Sequence, residues 1–148
     1  MKKIRHTIIP ASYLILEKGN EILLLRRFNT GYQDGMYSLI AGHLEAGETF
    51  TQTIIREALE EAGIIIAPSN ITPVHIMHRK SNKDSEERID IFFRATQWQG
   101  TLSNKEPHKC DDLQWFDYNK LPSNLLPYVQ LVLNNTKKGI FYSEYGWE

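Results

Sequence analysis

Residues Gly42 to Ile64 read GHLEAGETFTQTIIREALEEAGI. Local rules turn the second half of this stretch into a helix over Thr49–Ala62. Thr49 and Gln52 stand three residues apart, as a capping box requires. Gly63 supplies the C-terminal stop. At about 100° per residue, Phe50, Ile54, Ile55, Ala58, Leu59 and Ala62 fill one broad face, which is expected to be buried. Glu57, Glu60 and Glu61 fall within about 100° of arc on the opposite side. Glu57 and Glu61 are an i,i+4 like-charge pair, which costs the helix a little. Arg56 can pair with Glu60 at i+4, leaving the other two without a local cation. A solvated acidic face is one reading of this pattern. The other is a hard-metal site, since Mg²⁺ takes oxygen ligands and a few carboxylates and keeps waters for substrate phosphates. Glu48, just before the helix, can reach the same region or brace Arg56. The glycines of the preceding loop allow close approach of backbone to an ion.

Outward from this unit, strands and helices mix without regular βαβ alternation, which predicts an α+β class. Thr7–Leu16 and Glu21–Arg27 are apolar runs around the turn Lys18-Gly19-Asn20, a hairpin signal. Phe28–Tyr37 is a loop and Ser38–Ala41 a short strand. Ile71–Arg79 and Glu87–Ala95 are expected to pair, with the polar tip Ser81–Ser85 between them. Glu86, Glu87 and Asp90 are expected to form a solvated hairpin edge. Leu113–Phe116 is a further strand. Ser123–Asn135 is a second helix with a Ser cap and Pro127 near its first turn. Ile140–Trp147 is an aromatic-rich tail, expected as a strand or as an arm packed on the core.

Composition narrows the class. The chain has 148 residues, 41% of them hydrophobic, and a formal net charge of −1. That suits one domain over 1–148 and excludes intrinsic disorder. A general nucleic-acid binder is normally basic, so none is expected as partner. No apolar run is long enough to cross a bilayer, and Met1–His6 lacks the h-region of a signal peptide. The single cysteine, Cys110, has no partner for a disulfide or metal pair and reads as an inert thiol. A cytoplasmic location and a monomer or homodimer are the expectations.

The quoted stretch resembles the signature of the Nudix hydrolase superfamily, G-x5-E-x7-R-E-U-x-E-E-x-G-U, with U a bulky aliphatic. Gly42, Glu48, Arg56, Glu57, Glu60, Glu61, Gly63 and Ile64 match, and Ala58 departs at the first U position. The seven identities co-occur by chance on the order of once in a million chains of this size, from average residue usage. The resemblance implies an α/β/α sandwich on a central mixed sheet. It implies hydrolysis of a nucleoside diphosphate linked to a further group. It implies Mg²⁺, with Mn²⁺ as a substitute, held by Glu57, Glu61, Glu60 and the Gly42 carbonyl. Glu60 is then also a candidate for orienting or deprotonating the attacking water. Arg56 and Glu48 are the ion pair that orients the carboxylates.

Segments outside the signature point to a substrate. Glu106-Pro107-His108-Lys109-Cys110, leading to Trp115-Phe116, resembles the MutT-type branch that acts on nucleoside triphosphates. Glu106 is then a carboxylate reaching the metals from a facing loop. Arg26 and Arg27 lie on opposite faces of a strand, and one of them is expected to meet phosphate with its planar fork. Phe28, Tyr32 and Tyr37 are candidates to stack on a base, and His43 to sit near phosphate. His75 and His78 are expected to face opposite sides of a strand, which argues against a His metal site. The leading expectation is a pyrophosphohydrolase that converts a nucleoside triphosphate to a monophosphate and pyrophosphate. The alternatives are an ADP-ribose or nucleotide-sugar pyrophosphatase, or a sensor that binds nucleotide without cleaving it.

Overall fold

The computed structural model describes residues 1–81 and 86–147. Its strands are β1 (Ile9–Lys18), β2 (Glu21–Arg27), β3 (Tyr37–Ser38), β4 (Ile40–His43), β5 (Thr72–Lys80), β6 (Glu87–Ala95), β7 (Cys110–Asp117) and β8 (Tyr142–Tyr145). Its helices are α1 (Phe50–Ala62) and α2 (Pro127–Lys137). The strands run in the order β3-β2-β1-β6-β5-β8, with β4 also paired to β1 and β7 to β2. β1 and β6 are parallel, β5 and β6 antiparallel, so the sheet is mixed as expected.

The apolar runs of β1 and β2 form the middle of this sheet because both faces are covered. Tyr13 and Ile15 of β1, with Ile22 and Leu24 of β2, join one core with α2 residues Val129, Val132 and Leu133. Leu14, Leu16, Leu23 and Leu25 alternate to the opposite core, with Ile54, Ala58 and Ala62 of α1. One helix on each face of the sheet gives the α/β/α sandwich. The β1–β2 hairpin closes only near its turn, through Glu17↔Ile22 and Lys18↔Glu21. Beyond that point β1 pairs with β4 and β6, and β2 with β3 and β7.

α1 begins as its sequence dictates. The Thr49 side chain accepts the Gln52 amide at 3.1 Å, and the Gln52 side chain accepts the Thr49 amide at 2.9 Å. Gly63 ends the helix in the left-handed region at φ 71°. Thr49→Ala removes one half of this box and is expected to cost about 1 kcal/mol. Calorimetry should then show the melting temperature falling by about 3 °C in a chain of this size.

Several expectations are corrected. The buried stripe of α1 is narrower than its apolar pattern: Leu59 is 52% exposed and Ile55 half-buried, because contact with the sheet runs through Ile54, Ala58 and Ala62. Ser38–Ala41 divides into β3 and β4. The second helix starts at Pro127 rather than Ser123, with no side-chain cap. Proline lacks the N–H and suits the first helical position, while the preceding Leu126 is held extended. The tip of the β5–β6 hairpin lies outside the described residues at 82–85. The tail, by contrast, takes one of its two expected forms: it makes strand β8 beside β5 in parallel, and Trp147 packs on His78 with ring centroids 4.7 Å apart.

Candidate active site

β4 and α1 present their polar faces to one cleft of about 590 Å³. Gly42 and His43 come from β4, Glu57, Glu60 and Glu61 from α1, and Glu106 from the loop before β7; all line it. That loop is braced by Asn104, whose side chain accepts the Glu106 amide at 3.0 Å and donates to the Cys110 carbonyl at 2.7 Å.

Arg56 is the hub of the acidic face. Its Nε donates to Glu48 at 2.7 Å, and its Nη1 to Glu57 at 2.8 Å and to Glu60 at 3.2 Å. Glu57 therefore does have a local cation, contrary to the helical-wheel expectation. Glu48 also accepts from the Glu45 amide at 2.9 Å and the Thr53 hydroxyl at 2.9 Å. Arg56 beside it lowers its carboxyl to about 2 from an ordinary 4.5. Burial pushes the Glu57 carboxyl up against the opposing pull of Arg56. Burial, then Glu57 and Glu106, push the Glu61 carboxyl well above the usual range. Glu61 is held by the Ala41 amide at 3.2 Å.

Glu48 supplies a pH prediction. A carboxylate whose folded pKa is depressed adds stability in full above its unfolded value and loses it as pH falls. The Glu48 contribution should therefore fade from about pH 4.5 downward toward about 2. Thermal melts between pH 3 and 6 should show Glu48→Gln with a shallower acid decline than the native chain. Parallel declines would refute the role.

The donor set suits a hard divalent ion. Every candidate group is an oxygen, and burial with neighbouring acids raises the cost of charge on Glu57 and Glu61. The backbone at Gly42 closes on the acids: a Cβ there would lie 2.3 Å from Glu57 Oε1. Among the described residues no three His, Cys, Asp or Glu side chains yet converge on a single point. Arg56 and the Ala41 amide hold two of the acids in place.

The substrate candidates divide. Arg27 lines the cleft, whereas Arg26 does not and pairs with Asp111 at 2.7 Å. Phe28 is 45% exposed and does not line the cleft. Tyr37 is a core residue, buried edge-to-face against Phe116. Tyr32 and His43 do line the cleft. The loop carrying Tyr32 is tied by Asp34, which accepts the Thr30 and Gly31 amides at 3.0 and 2.9 Å. Arg27 Nε donates to the Tyr32 carbonyl at 2.6 Å.

Further walls come from Tyr13, Arg79, Arg88, Lys109 and Tyr128, none of them picked out as site residues from the sequence. Asp90 is no solvated edge residue: it is 0% exposed and paired with Arg79 at 2.7 Å. The other two are surface acids: Glu86 is exposed, and Glu87 is partly exposed and accepts from His6 and His78. His75 is buried against the Ile140 carbonyl and the Ser143 hydroxyl, away from the cleft. Cys110 is a buried thiol whose pKa burial raises. Among the described residues no helix is long and apolar enough to cross a membrane.

Comparison with known proteins adds four relations. The NUDIX domain profile matches residues 7–134. The chain is 31% identical over 137 residues to the ADP-ribose pyrophosphatase of Methanocaldococcus jannaschii, covering 89% of this chain and 76% of that protein. It is 30% identical over 113 residues to the NAD-capped RNA hydrolase NudC of Pseudomonas aeruginosa, covering 76% of this chain and 37% of NudC. The chain thus spans well under half of NudC. The crystal structure of the MutT NUDIX hydrolase from Burkholderia pseudomallei superposes with a TM-score of 0.80 at 21% identity, over 87% of this chain and 98% of that one. At that identity the superposition speaks for the fold alone.

Proposed function

The chain belongs to the NUDIX domain family and is a hydrolase of phosphoric anhydrides, and from that premise we propose that residues 1–148 form one domain cleaving a nucleoside triphosphate to a monophosphate and pyrophosphate. The observation that carries this reading is the shared cleft. Three carboxylates of α1, the facing Glu106, and the cations Arg27 and Lys109 all border one space. A polyphosphate brings several negative oxygens, which such cations and a bound divalent ion neutralise together. The segment that resembles the triphosphate branch contributes two of these residues, Glu106 and Lys109.

Glu57, Glu61 and the Gly42 carbonyl would hold Mg²⁺, and Mn²⁺ in its place, with Glu106 closing from the opposite loop. The ion's chemistry would be to neutralise phosphate oxygens and to lower the pKa of attacking water. Glu60 is half-exposed at the rim and orients that water. Arg56, fixed by Glu48, positions Glu57. Water adds at phosphorus, the anhydride P–O bond breaks, and pyrophosphate leaves.

A second reading, an ADP-ribose pyrophosphatase, is favoured by the 31% identical relative of that name. Product release from nucleoside triphosphates, ADP-ribose and nucleotide sugars, with and without Mg²⁺, separates the two. Mg²⁺-dependent pyrophosphate from a triphosphate is expected. Turnover of ADP-ribose alone would overturn the first reading in favour of the second. Nucleotide binding without turnover of any of these would favour a sensor.

A further inference from the structure

One wall of the cleft holds a buried charged cluster that the hydrolytic machinery does not use. Arg79 of β5 is 4% exposed and Asp90 of β6 is 0% exposed. Arg79 Nε donates to Asp90 Oδ2 at 2.7 Å, and Nη2 to the Tyr13 hydroxyl at 3.2 Å. The Tyr13 and Tyr128 hydroxyls lie 3.2 Å apart. The guanidinium sits over the Tyr128 ring, 4.1 Å from its centroid. Asp90 Oδ1 is buried and has no hydrogen-bond partner among the described residues.

As a stability device this cluster is poor. Burying an ion pair is commonly no better for stability than apolar packing. A buried orphan oxygen adds a further cost and asks for an explanation. Fixing an arginine in one pose at the edge of a binding cleft supplies one.

The pose has a definite setting. Beyond the cleft lies a second cavity of about 340 Å³, and Tyr32, Arg79 and Tyr128 border both. Met36, Leu126, Pro127 and Tyr145 give that second cavity apolar and aromatic walls, beside the polar Gln33, Lys80 and Ser81. At the other end Arg27 and Lys109 border a recess with Glu61 and Glu106. The two spaces together thus match the two ends of a nucleotide, phosphates at the acidic and cationic end and the base at the aromatic end. Arg79 stands at the junction.

Arginine only donates hydrogen bonds. Its Nη1 enters none of the hydrogen bonds found among the described residues, and the residue lines both spaces. The carbonyl at C6 of guanine or C4 of uracil and thymine accepts from such a donor, while the amino group that adenine and cytosine carry at the same position does not. We propose that Arg79, held by Asp90 and Tyr13, reads the base of the bound nucleotide and favours guanine and uracil or thymine over adenine and cytosine. The inference rests on the reading of the cleft as a nucleotide site.

Calorimetric titration of GMP, UMP, AMP and CMP in Mg²⁺ tests it without any need for turnover. The native chain should bind GMP and UMP about tenfold more tightly than AMP and CMP, the scale of one good base contact. Arg79→Gln should bring the four affinities together while leaving those for AMP and CMP near their native values. Asp90→Asn, which keeps the size but loosens the grip on Arg79, should shrink the ratio. If Arg79→Gln does not fold, Arg79→Lys keeps the charge without the fork and should shrink it as well. A native ratio near one, a ratio unchanged in these variants, or an equal loss for all four nucleotides would overturn the proposal. Native turnover of triphosphates tests the function reading separately. A chain that cleaved only ADP-ribose yet bound GMP over AMP through Arg79 would keep this inference and sink that reading.

Discussion

Glu61→Gln is expected to reduce hydrolysis by about a thousandfold while raising the melting temperature of the metal-free protein. Both effects follow from where the carboxylate stands. Glu61 lines the cleft with Glu57 and Glu106, and its charge is opposed by burial and by both of those acids. Without a cation that charge works against the fold. Glutamine keeps the side-chain volume and removes the repulsion, so melting in chelator should occur several degrees higher. With Mg²⁺ the same charge is what the ion needs. A thousandfold corresponds to roughly 4 kcal/mol of barrier, within the several kcal/mol that a bound metal contributes to charge neutralisation. Melts in chelator and in excess Mg²⁺, beside pyrophosphate release, check both halves. A glutamine variant that is active, or less stable than the native chain in chelator, would remove Glu61 from the metal-binding set.

Gly42→Ala carries the second large effect, and it acts through sterics alone. Gly42 is not among the residues with positive φ, so alanine meets no backbone strain there. The obstacle is Glu57: a Cβ would lie 2.3 Å from its Oε1, 2.4 Å from its Cδ and 2.6 Å from its Cγ. Since Arg56 pins Glu57 at 2.8 Å, the whole carboxylate arm must shift rather than its tip alone. A displacement near 1 Å at such a group costs about a hundredfold in rate. Activity should fall on that scale and the Mg²⁺ requirement should rise, with circular dichroism unchanged. Native kinetics at ordinary Mg²⁺ would show that Glu57 has room to move and does not need its present position.

The parts that were readable in advance are those set by neighbours in the chain. Thr49, Gln52 and Gly63 fix the ends of α1 by hydrogen bonds within a few residues, and the observed caps are the expected ones. The spacing from Glu48 to Arg56 likewise ends in a direct contact. What could not be read depends on which strands become neighbours. Arg26 and Arg27 were indistinguishable until β2 took its place between β1 and β7, sending one to Asp111 and the other to the cleft. Asp90 sits in a run of charged residues and looked solvated. Its partner Arg79 lies diagonally across the β5–β6 pair, since Arg79 is opposite Arg88 and Met77 opposite Asp90. Tyr13 and Tyr128 reach the same wall from opposite ends of the chain. Leu59 failed the other way, because an apolar pattern wider than the contact surface leaves its flank in water.

The parallel pairing of β1 with β6 sets how this molecule must assemble. Ile9 lies opposite Arg88 and Leu16 opposite Ala95, so the central ladder joins the two halves of the chain. Closing so large a loop has an entropic cost that must be met before the ladder returns any energy, and such topologies fold slowly. α1 can form early from its own caps, but the strands that bury it are complete only after β6 has arrived. Tyr128, on the far wall, comes later still in synthesis. A chain emerging from the ribosome therefore carries the acids of α1 long before it has a cleft to hold them. Neither nucleotide nor metal can guide the opening steps of folding; they can only reward the finished product.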